Sequence, residues 1–444
     1  MASPSPNNLP VPQTPLRVGI CGLGTVAQGV LEVLAENRDS IRARAGREIE
    51  VVRVASRTPK PEVDLLGASF STDLRTVTDD ETLDVIVEVL GGDGVALDLV
   101  REALVRGRAV VTANKAILAA HGDELLALVR EHGGLLAFEA AVAGGIPIID
   151  ALTRALAANQ IRWLAGIING TSNFILTAMT RSSRSFADAL AEAQALGYAE
   201  ADPTFDVEGT DAAHKLTLLG ALAFQIGFRF DEVYTEGISQ ITVEDIEYAR
   251  QLGYHIKHLG IANMTPEGVQ LRVHPTLIPE TELLASVNGV MNAVLVNGNA
   301  AGDTLYYGAG AGARPTASAV VADLIDIARG HRPDLPGMAP RDAVEVVPME
   351  TVTTGFYLKI PSLDKPGVFA RVATILSEHD ISIEAAIQKE QAIHTETQDA
   401  WVPIIILTGP VREGVMVRAL SAVQAMPAVV GPITRIRVEH LDDD

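Results

Sequence analysis

The sequence predicts an α/β protein in three parts: a doubly wound parallel sheet, a mixed α+β unit and a small C-terminal ferredoxin-like unit. Three observations carry this. From Leu16 to about Asp150, short β-rich runs alternate with helical segments, the pattern of a parallel sheet with crossover helices. From about 150 to 310 the segments are longer and of mixed type. From about Thr351 the order strand, helix, strand, strand, helix, strand recurs once, as in the ferredoxin-like fold.

In the first part, "LRVGICGLG" and "EIEVVRVASR" read as strands, with "LDVIVEVLGG", "AVVTANK" and "LLAFEAAVAGG" after them. "TVAQGVLEVLAENRDSI" and "DLVREALVRG" read as the helices between. In the second part, "ADALAEAQALG" and "DAAHKLTLLGALAFQIG" are helical, and "VQLRVHPTLI" and "MNAVLVNG" are strand-like. "DTLYYGAGAGARPTASAVVADLIDIARG" reads as a glycine-rich loop followed by a helix, and the proline-rich "HRPDLPGMAPRD" as a linker. The third part takes "GFYLKIPSLDKPGVFARVATILSEHDISIEAAIQ", "WVPIIILTG", "MVRALSAVQAM" and "ITRIRVEH" in turn. The expected boundaries are a disordered tail over 1–14, a first domain over 15–150 with a return segment at 308–335, and a second over 151–307. A linker over 336–350 and a third domain over 351–440 follow.

The 444 residues are 48% hydrophobic, enough for substantial cores, and the formal net charge of −21 argues against a nucleic-acid partner. A single cysteine, Cys21, excludes an internal disulfide framework and fits a reducing compartment. The N-terminus lacks the basic and apolar regions of a secretory signal, and no apolar run reaches the ~18 to 20 residues of a membrane span. The expectation is a soluble cytoplasmic protein.

"GICGLGTVAQG" sets Gly22, Gly24 and Ala27 in G-x-G-x-x-G/A spacing between an apolar strand and a helix. The first glycine allows the turn, the second lets a pyrophosphate approach the backbone, and Ala27 allows close helix–strand packing. Free amides at the helix start favour phosphate. The domain therefore reads as Rossmann-type and dinucleotide-binding. The second strand ends in Ser56 and Arg57, with Lys60 near, instead of the Asp or Glu that meets a ribose 2′-hydroxyl; this favours NADP or use of both dinucleotides. Gly91 and Gly92 end "EVLGG", and Asn114 and Lys115 end "TANK", at carboxyl ends of strands where ligands sit in such sheets. Lys115 suits a substrate carboxylate or the nicotinamide side, and equally an ordinary strand-to-helix turn.

"GYAEADPTFDVEGTDAAHK" packs Glu200, Asp202, Asp206, Glu208 and Asp211 ahead of Lys215 and an almost wholly apolar helix. Asp211 and Lys215 are i, i+4 on one face, with Thr210 as N-cap. Leu216, Leu218, Leu219, Leu222 and Phe224 leave the helix little polar face, so Lys215 is expected to be desolvated and apt for proton transfer. Clustered carboxylates also suit a hard divalent cation, but His214 is the only imidazole here and no ordered ligand series is present. "NGTSNFIL" opens another apolar helix, which Ser172 or Asn173 would cap unless they meet a polar substrate.

This stretch resembles the signature of homoserine dehydrogenases, and "GLGTV", "TANK", "EAAVAGGIPII", "NGTSN" and "YGAGAG" match that family's motifs in order over about Leu16 to Gly330. The resemblance implies NAD(P)H-dependent, reversible reduction of L-aspartate 4-semialdehyde to L-homoserine, on the route to threonine, isoleucine and methionine. It implies Lys215 as proton donor, Asp211 as its holder, and Glu200 with Asp206 for the substrate ammonium. Lys115 would lie near nicotinamide and substrate, meeting the α-carboxylate or sharing the proton work. Leu23, Thr25 and Val26 would line the cofactor phosphates together with Gly22 and Gly24, Arg57 the 2′-phosphate, and the loop at Gly308 and Gly310 would return to the cofactor beside Gly91. A structural sodium is implied at Glu139 and the main-chain oxygens of Val142, Gly144 and Ile146. Ala27 departs from the family's usual glycine by an accepted variant.

The third part resembles an ACT domain through "LDKPGVFA". Pro366 and Gly367 open its helix, so the amides at Gly367 and Val368 would hold an effector carboxylate and Asp364 an effector ammonium. Threonine is the effector the resemblance implies, bound where such domains pair across chains in a dimer or tetramer. No aspartokinase region precedes the dinucleotide turn, which matches the monofunctional form. The alternatives are a dinucleotide- and amino-acid-binding regulator without catalysis, and a dehydrogenase of another amino-acid semialdehyde.

Overall fold

The computed structural model describes residues 14–331, 344–388, 393–395 and 398–441. The expected tail, except for residue 14, and the 336–343 part of the expected linker lie outside the described residues. The chain divides into two compact units: Met1–Arg162 with His214–Asp231 and Asn292–Val344, and Trp163–Ala213 with Glu232–Met291 and Glu345–Asp444.

The first unit is built on a parallel sheet. Its strands are β1 (Leu16–Cys21), β2 (Ile49–Ala55), β3 (Ser69–Ser71), β4 (Val85–Glu88), β5 (Ala109–Thr112) and β6 (Leu135–Ala137), in the order β3-β2-β1-β4-β5-β6. The order reverses beside β1, and the crevice beyond the carboxyl ends at such a reversal is where ligands bind. Val18, Ile20, Val54, Val85, Val87 and Val111 are wholly buried, as the β-branched runs require. The helix after β1 is split, Thr25–Glu36 and Arg38–Ala45, with a break at Asn37. It packs on the Ala313–Ala328 helix so closely that a Cβ at Gly29 would stand 2.5 Å from the Ala313 carbonyl oxygen, and Arg314 pairs with Glu36. One expectation is corrected: Gly302–Ala309 is a strand neighbouring Met291–Gly298, so the glycine-rich loop shrinks to Gly310–Gly312. Its side chains alternate between half-buried and exposed, a one-sided strand whose tyrosines and glycines obscure the period.

In the second unit, strands Ile161–Ile167, Tyr254–Thr265, Gly268–Pro279, Thr434–Val438, Thr353–Leu363, Gln398–Arg412 and Ile383–Gln388 follow one another in this spatial order. The last four, with helices Val368–Glu378 and Glu413–Gln424, form the ferredoxin-like unit: all three pairings among them are antiparallel, and both crossovers are helical. Its edge strand joins Gly268–Pro279 in parallel at Thr276–Arg437 and Leu277–Val438. Arg437, wholly buried there, donates to both oxygens of buried Glu413 (2.9 and 2.8 Å), to Glu236 Oε2 (2.8 Å) and to the Tyr234 hydroxyl (2.9 Å). These bonds tie the last strand to the 234–238 segment, whose Ile238 amide donates to the Val207 carbonyl at 2.8 Å. Among the described residues no helix is long and apolar enough to cross a membrane.

Candidate functional site

Two constellations stand out, the turn after β1 and the signature stretch. The first is fitted to a dinucleotide. Gly22 has φ +107°, and a Cβ there would meet the Val89 carbonyl oxygen at 2.7 Å, so only glycine fits. At Gly24 a Cβ would have no atom within 4 Å: the backbone faces open space. Gly24 is the N-cap of Thr25–Glu36 and brings no side chain to the free amides. Leu23 is buried in the core and contributes main chain only; Thr25 is exposed, Val26 half-buried and Ala27 wholly buried. The Gly22 amide donates to the Ala55 carbonyl (2.8 Å), which sets exposed Arg57 two residues beyond the strand end beside the turn. The residues present therefore fit a dinucleotide phosphate held by helix-start amides.

Beside it, Glu88 organises the next two strand ends. It is wholly buried and accepts from the Thr112 hydroxyl (2.5 Å) and the Leu90 amide (2.8 Å). Burial raises its carboxyl above the usual range, against these bonds. Gly91 and Gly92 both have φ +74°, with open space where a Cβ would lie. The Asn114 amide donates to the Gly92 carbonyl (2.6 Å), and its oxygen caps the Lys115–His132 helix at the Ile117 amide. Half-buried Lys115 is the first residue of that helix.

The return loop packs on the 143–146 turn. The Gly145 amide donates to the Ala309 carbonyl (2.9 Å), and Gly144 (φ +39°) approaches the Gly310 carbonyl oxygen. A Cβ at Gly310 would overlap the Asn292 side chain, whose two polar atoms, wholly enclosed, have no partner among the described residues. Gly308 packs on the Ile146 side chain. The Glu139 carboxylate is engaged by the Ile149 (2.9 Å) and Asp150 (2.7 Å) amides, and burial pushes it up to about 7. Any cation at this turn would thus depend chiefly on main-chain oxygens, and the backbone there is left-handed at Ala143 (φ +54°) and Gly144 (φ +39°). Among the described residues no group of three or more His, Cys, Asp or Glu side chains is arranged to hold a metal.

The signature stretch folds as a turn, a short helix Thr204–Val207 and the start of the Thr210–Phe224 helix; up to Ala213 it belongs to the second unit, and His214 and Lys215 belong to the first. Glu200 is exposed, Asp206 half-buried and Asp211 5% exposed. Asn169 Nδ2 donates to both Asp206 Oδ1 (2.7 Å) and Asp211 Oδ2 (2.8 Å). Asp202 acts within the turn itself, where its Oδ1 accepts the Thr204 amide (3.1 Å) and bonds from Thr204 hold its carboxyl below the usual range. Glu208 is exposed beside Gly237. Thr210 is not the N-cap: the Gly209 carbonyl accepts the Ala213 amide (2.9 Å), so the cap is Gly209 and Thr210 is the first helical residue. Gly209 is fitted there because its φ is +89° and His258, Val273 and Thr235 crowd where a Cβ would be. Lys215 follows one turn after Asp211 and is 9% exposed, with Leu216, Leu218 and Leu219 wholly buried after it. The His214 ring stacks on Phe230 at 4.4 Å.

Ser172 and Asn173 each have a main-chain partner within the second unit. Ser172 Oγ donates to the Asp206 carbonyl (3.0 Å), and Asn173 donates to the Met291 carbonyl (3.1 Å). In the ferredoxin-like unit, Gly367 (φ +88°) is the N-cap of Val368–Glu378 and has open space around it; Asp364 is exposed just before it.

Sequence reasoning misses Glu88 and Asn169. Both sit inside quoted motifs, one as an unremarked strand residue and the other as the first residue of "NGTSN". A buried glutamate in an otherwise apolar strand is the available signal for the first.

Family models match three stretches: the homoserine dehydrogenase NAD-binding domain over 22–139, homoserine dehydrogenase over 147–325 and the ACT domain over 358–408. A homoserine dehydrogenase of Pseudomonas aeruginosa is 54% identical over 96% of this chain and 100% of its own. One of Corynebacterium glutamicum is 40% identical over 99% of each. Among solved structures, a Thiobacillus denitrificans homoserine dehydrogenase superposes with a TM-score of 0.90 at 51% identity, over 97% of this chain and 99% of that one. A hyperthermophilic archaeal homoserine dehydrogenase in complex with NADPH has a TM-score of 0.60 at 26% identity, over 70% and 97%.

Proposed function

The chain belongs to the homoserine dehydrogenase family, and on that premise we propose which of its residues carry the reversible reduction of L-aspartate 4-semialdehyde to L-homoserine. NAD(P)H, when bound, supplies the hydride to the aldehyde carbon. As the carbon–oxygen double bond becomes single, the ammonium of Lys215 gives a proton to the oxygen; in the reverse direction the neutral amine takes the hydroxyl proton. Solvent restores the lysine between turnovers. Asp211, one turn earlier on the same helix face, keeps Lys215 aimed. Glu200 and Asp206 bind the substrate ammonium. Lys115, the first residue of its helix, receives the α-carboxylate together with the helix-start amides.

The observation that carries the reading is Lys215 itself, nearly buried on a helix whose following leucines are buried, behind a loop of carboxylates. Such a lysine has no reason to be there for solubility.

The free amides after Gly24, with Leu23, Thr25 and Val26 around them, hold the pyrophosphate, and Arg57 the 2′-phosphate, so NADP is the favoured cofactor. The archaeal relative with NADPH supports that preference. Gly91 and Gly310 border the same cofactor. A structural sodium is held by the main-chain oxygens of Val142, Gly144 and Ile146 with Glu139. The ACT unit binds an amino-acid effector, threonine by family resemblance, at Asp364, Gly367 and Val368, across the interface of a homo-oligomer in the cytoplasm.

The test is Lys215→Ala. General acid–base groups contribute roughly 10²- to 10⁴-fold, so kcat should fall by that order while dinucleotide binding persists. Full turnover in this variant would remove the lysine from the mechanism.

A further inference from the structure

Asp206 and Asp211 do not stand independently in the loop. One nitrogen, Asn169 Nδ2, donates to both: 2.7 Å to Asp206 Oδ1 and 2.8 Å to Asp211 Oδ2. The other end of the same amide, Oδ1, accepts the Ser172 amide at 2.8 Å and caps the Gly170–Ser182 helix. The side chain is 4% exposed. All three bonds fix its orientation: a flipped amide would set its oxygen against two carboxylate oxygens and its NH₂ against an N–H. The two amide hydrogens match the two carboxylates one to one. The same helix start also grips the loop's main chain, since Ser172 Oγ donates to the Asp206 carbonyl (3.0 Å).

We propose that Asn169 is a positioning residue that holds Asp206 and Asp211 in register, and through them the substrate ammonium and Lys215. The inference rests on the roles proposed above for Asp206, Asp211 and Lys215. Two carboxylates brought to one point repel each other, and a neutral donor shared between them offsets that repulsion without consuming either charge. A lysine there would neutralise one of them and compete with the substrate ammonium. An amide on a helix N-cap is rigid as well, because the cap bond locks the rotamer that aims the NH₂. Asn169 thereby fixes the distance between the group that binds the substrate's amine and the group that orients the proton donor. Errors of about 1 Å in such a distance cost on the order of 10²-fold in rate.

The test separates the cap from the clamp. Asn169→Ser keeps a good N-cap for the Ser172 amide but has no donor for the carboxylates. We expect kcat to fall about 10- to 100-fold and KM for homoserine to rise several-fold, with KM for the dinucleotide unchanged; the thermal midpoint falls as well, because two hydrogen bonds to carboxylates are lost. Isosteric Asn169→Asp also keeps the cap oxygen and should lose at least as much, which carries the test if the serine variant does not fold. In double-mutant cycles with Asp206→Asn or Asp211→Asn, Asn169→Ser should add little, because its route to the reaction is already cut. Wild-type kcat and homoserine KM in the Asn169 variants, or full additivity in both cycles, overturns the proposal. If Lys215→Ala loses turnover while Asn169→Ser does not, the clamp alone falls; if Lys215→Ala stays active, the underlying assignment falls first.

Discussion

Gly22 and Gly24 sit two residues apart in one motif, yet the structure assigns them opposite failures. At Gly24 an added side chain meets no atom within 4 Å, and serine there is an N-cap as good as glycine to within a few tenths of a kcal/mol. Gly24→Ser should thus move the thermal midpoint by no more than about 1 °C. The new Cβ and hydroxyl occupy the space the pyrophosphate enters, and the hydroxyl engages the amides the phosphate needs. Each hydrogen bond to a charged group lost is worth about 1.5 to 3 kcal/mol, so dinucleotide affinity should fall roughly 10- to 150-fold. At Gly22 the chain has φ +107° and a Cβ would lie 2.7 Å from the Val89 carbonyl oxygen. Backbone strain of about 1 to 3 kcal/mol and overpacking of similar size should make Gly22→Ala destabilising by about 2 to 6 kcal/mol. Calorimetric titration with NADPH beside thermal denaturation reads both effects. Wild-type affinity in Gly24→Ser, or a loss of stability there matching that of Gly22→Ala, would refute the reading of this turn.

Arg57→Ala should cut kcat/KM with NADPH by about 10- to 100-fold, one lost charge-assisted phosphate contact, and leave NADH almost untouched; equal effects on both cofactors would remove Arg57 from the 2′-phosphate. Lys257 is 3% exposed, donates to the Val287 carbonyl and Asn288, and burial, with Arg181 near, lowers it to about 8. Its folded value lies below its unfolded value near 10.5, so the unfolded chain holds more protons between those limits and stability rises with pH from about 8 to 10.5, by up to about 3 kcal/mol. Lys257→Met should lack that rise in denaturant titrations across this window; parallel curves for the two proteins would show that Lys257 is not the source.

The three-part architecture is legible in the sequence because each part announces itself by a different period. Continuous Val/Ile runs between helices mark a parallel sheet, and they form one. The hairpin partner strand Tyr254–Thr265 is hidden. Its Lys257 and His258 are adjacent and both buried, which breaks the alternation that betrays a half-buried strand. Lys257 is satisfied by Val287 and Asn288, and His258 by the Glu236 carbonyl, all of them distant in sequence. Nothing within a local window tells that these polar residues have partners. The strand at Gly302–Ala309 is hidden for the converse reason: its glycines look like loop, and only the close approach to Ile146 shows why one of them, Gly308, is needed inside a strand.

The site divides along the same line. The residues proposed to act through their own chemistry are flagged by the sequence, because a lysine behind five carboxylates at the mouth of an apolar helix is an anomaly in the pattern. Residues that act by holding others cannot. Asn169 lies 37 and 42 positions from the carboxylates it binds, and a lone asparagine before a glycine reads as a turn. Glu88 is the same case at the cofactor crevice: a carboxylate buried at the end of β4, whose partners are Thr112 at the end of the neighbouring strand β5 and Leu90 in the turn that follows. Both residues spend their hydrogen-bonding capacity on fixing geometry; no spacing marks Asn169, and only the lone acid in an apolar strand marks Glu88. The carboxylate loop therefore carries no sign of what keeps it open. Five acids in twelve residues would repel one another, and the structure answers that repulsion piecemeal: Asp202 on the Thr204 amide, Asp206 and Asp211 on one shared amide, and Glu200 and Glu208 left exposed to solvent. Of the five, Asp206 and Asp211 share one donor, and they are the pair proposed to serve the substrate ammonium and the lysine.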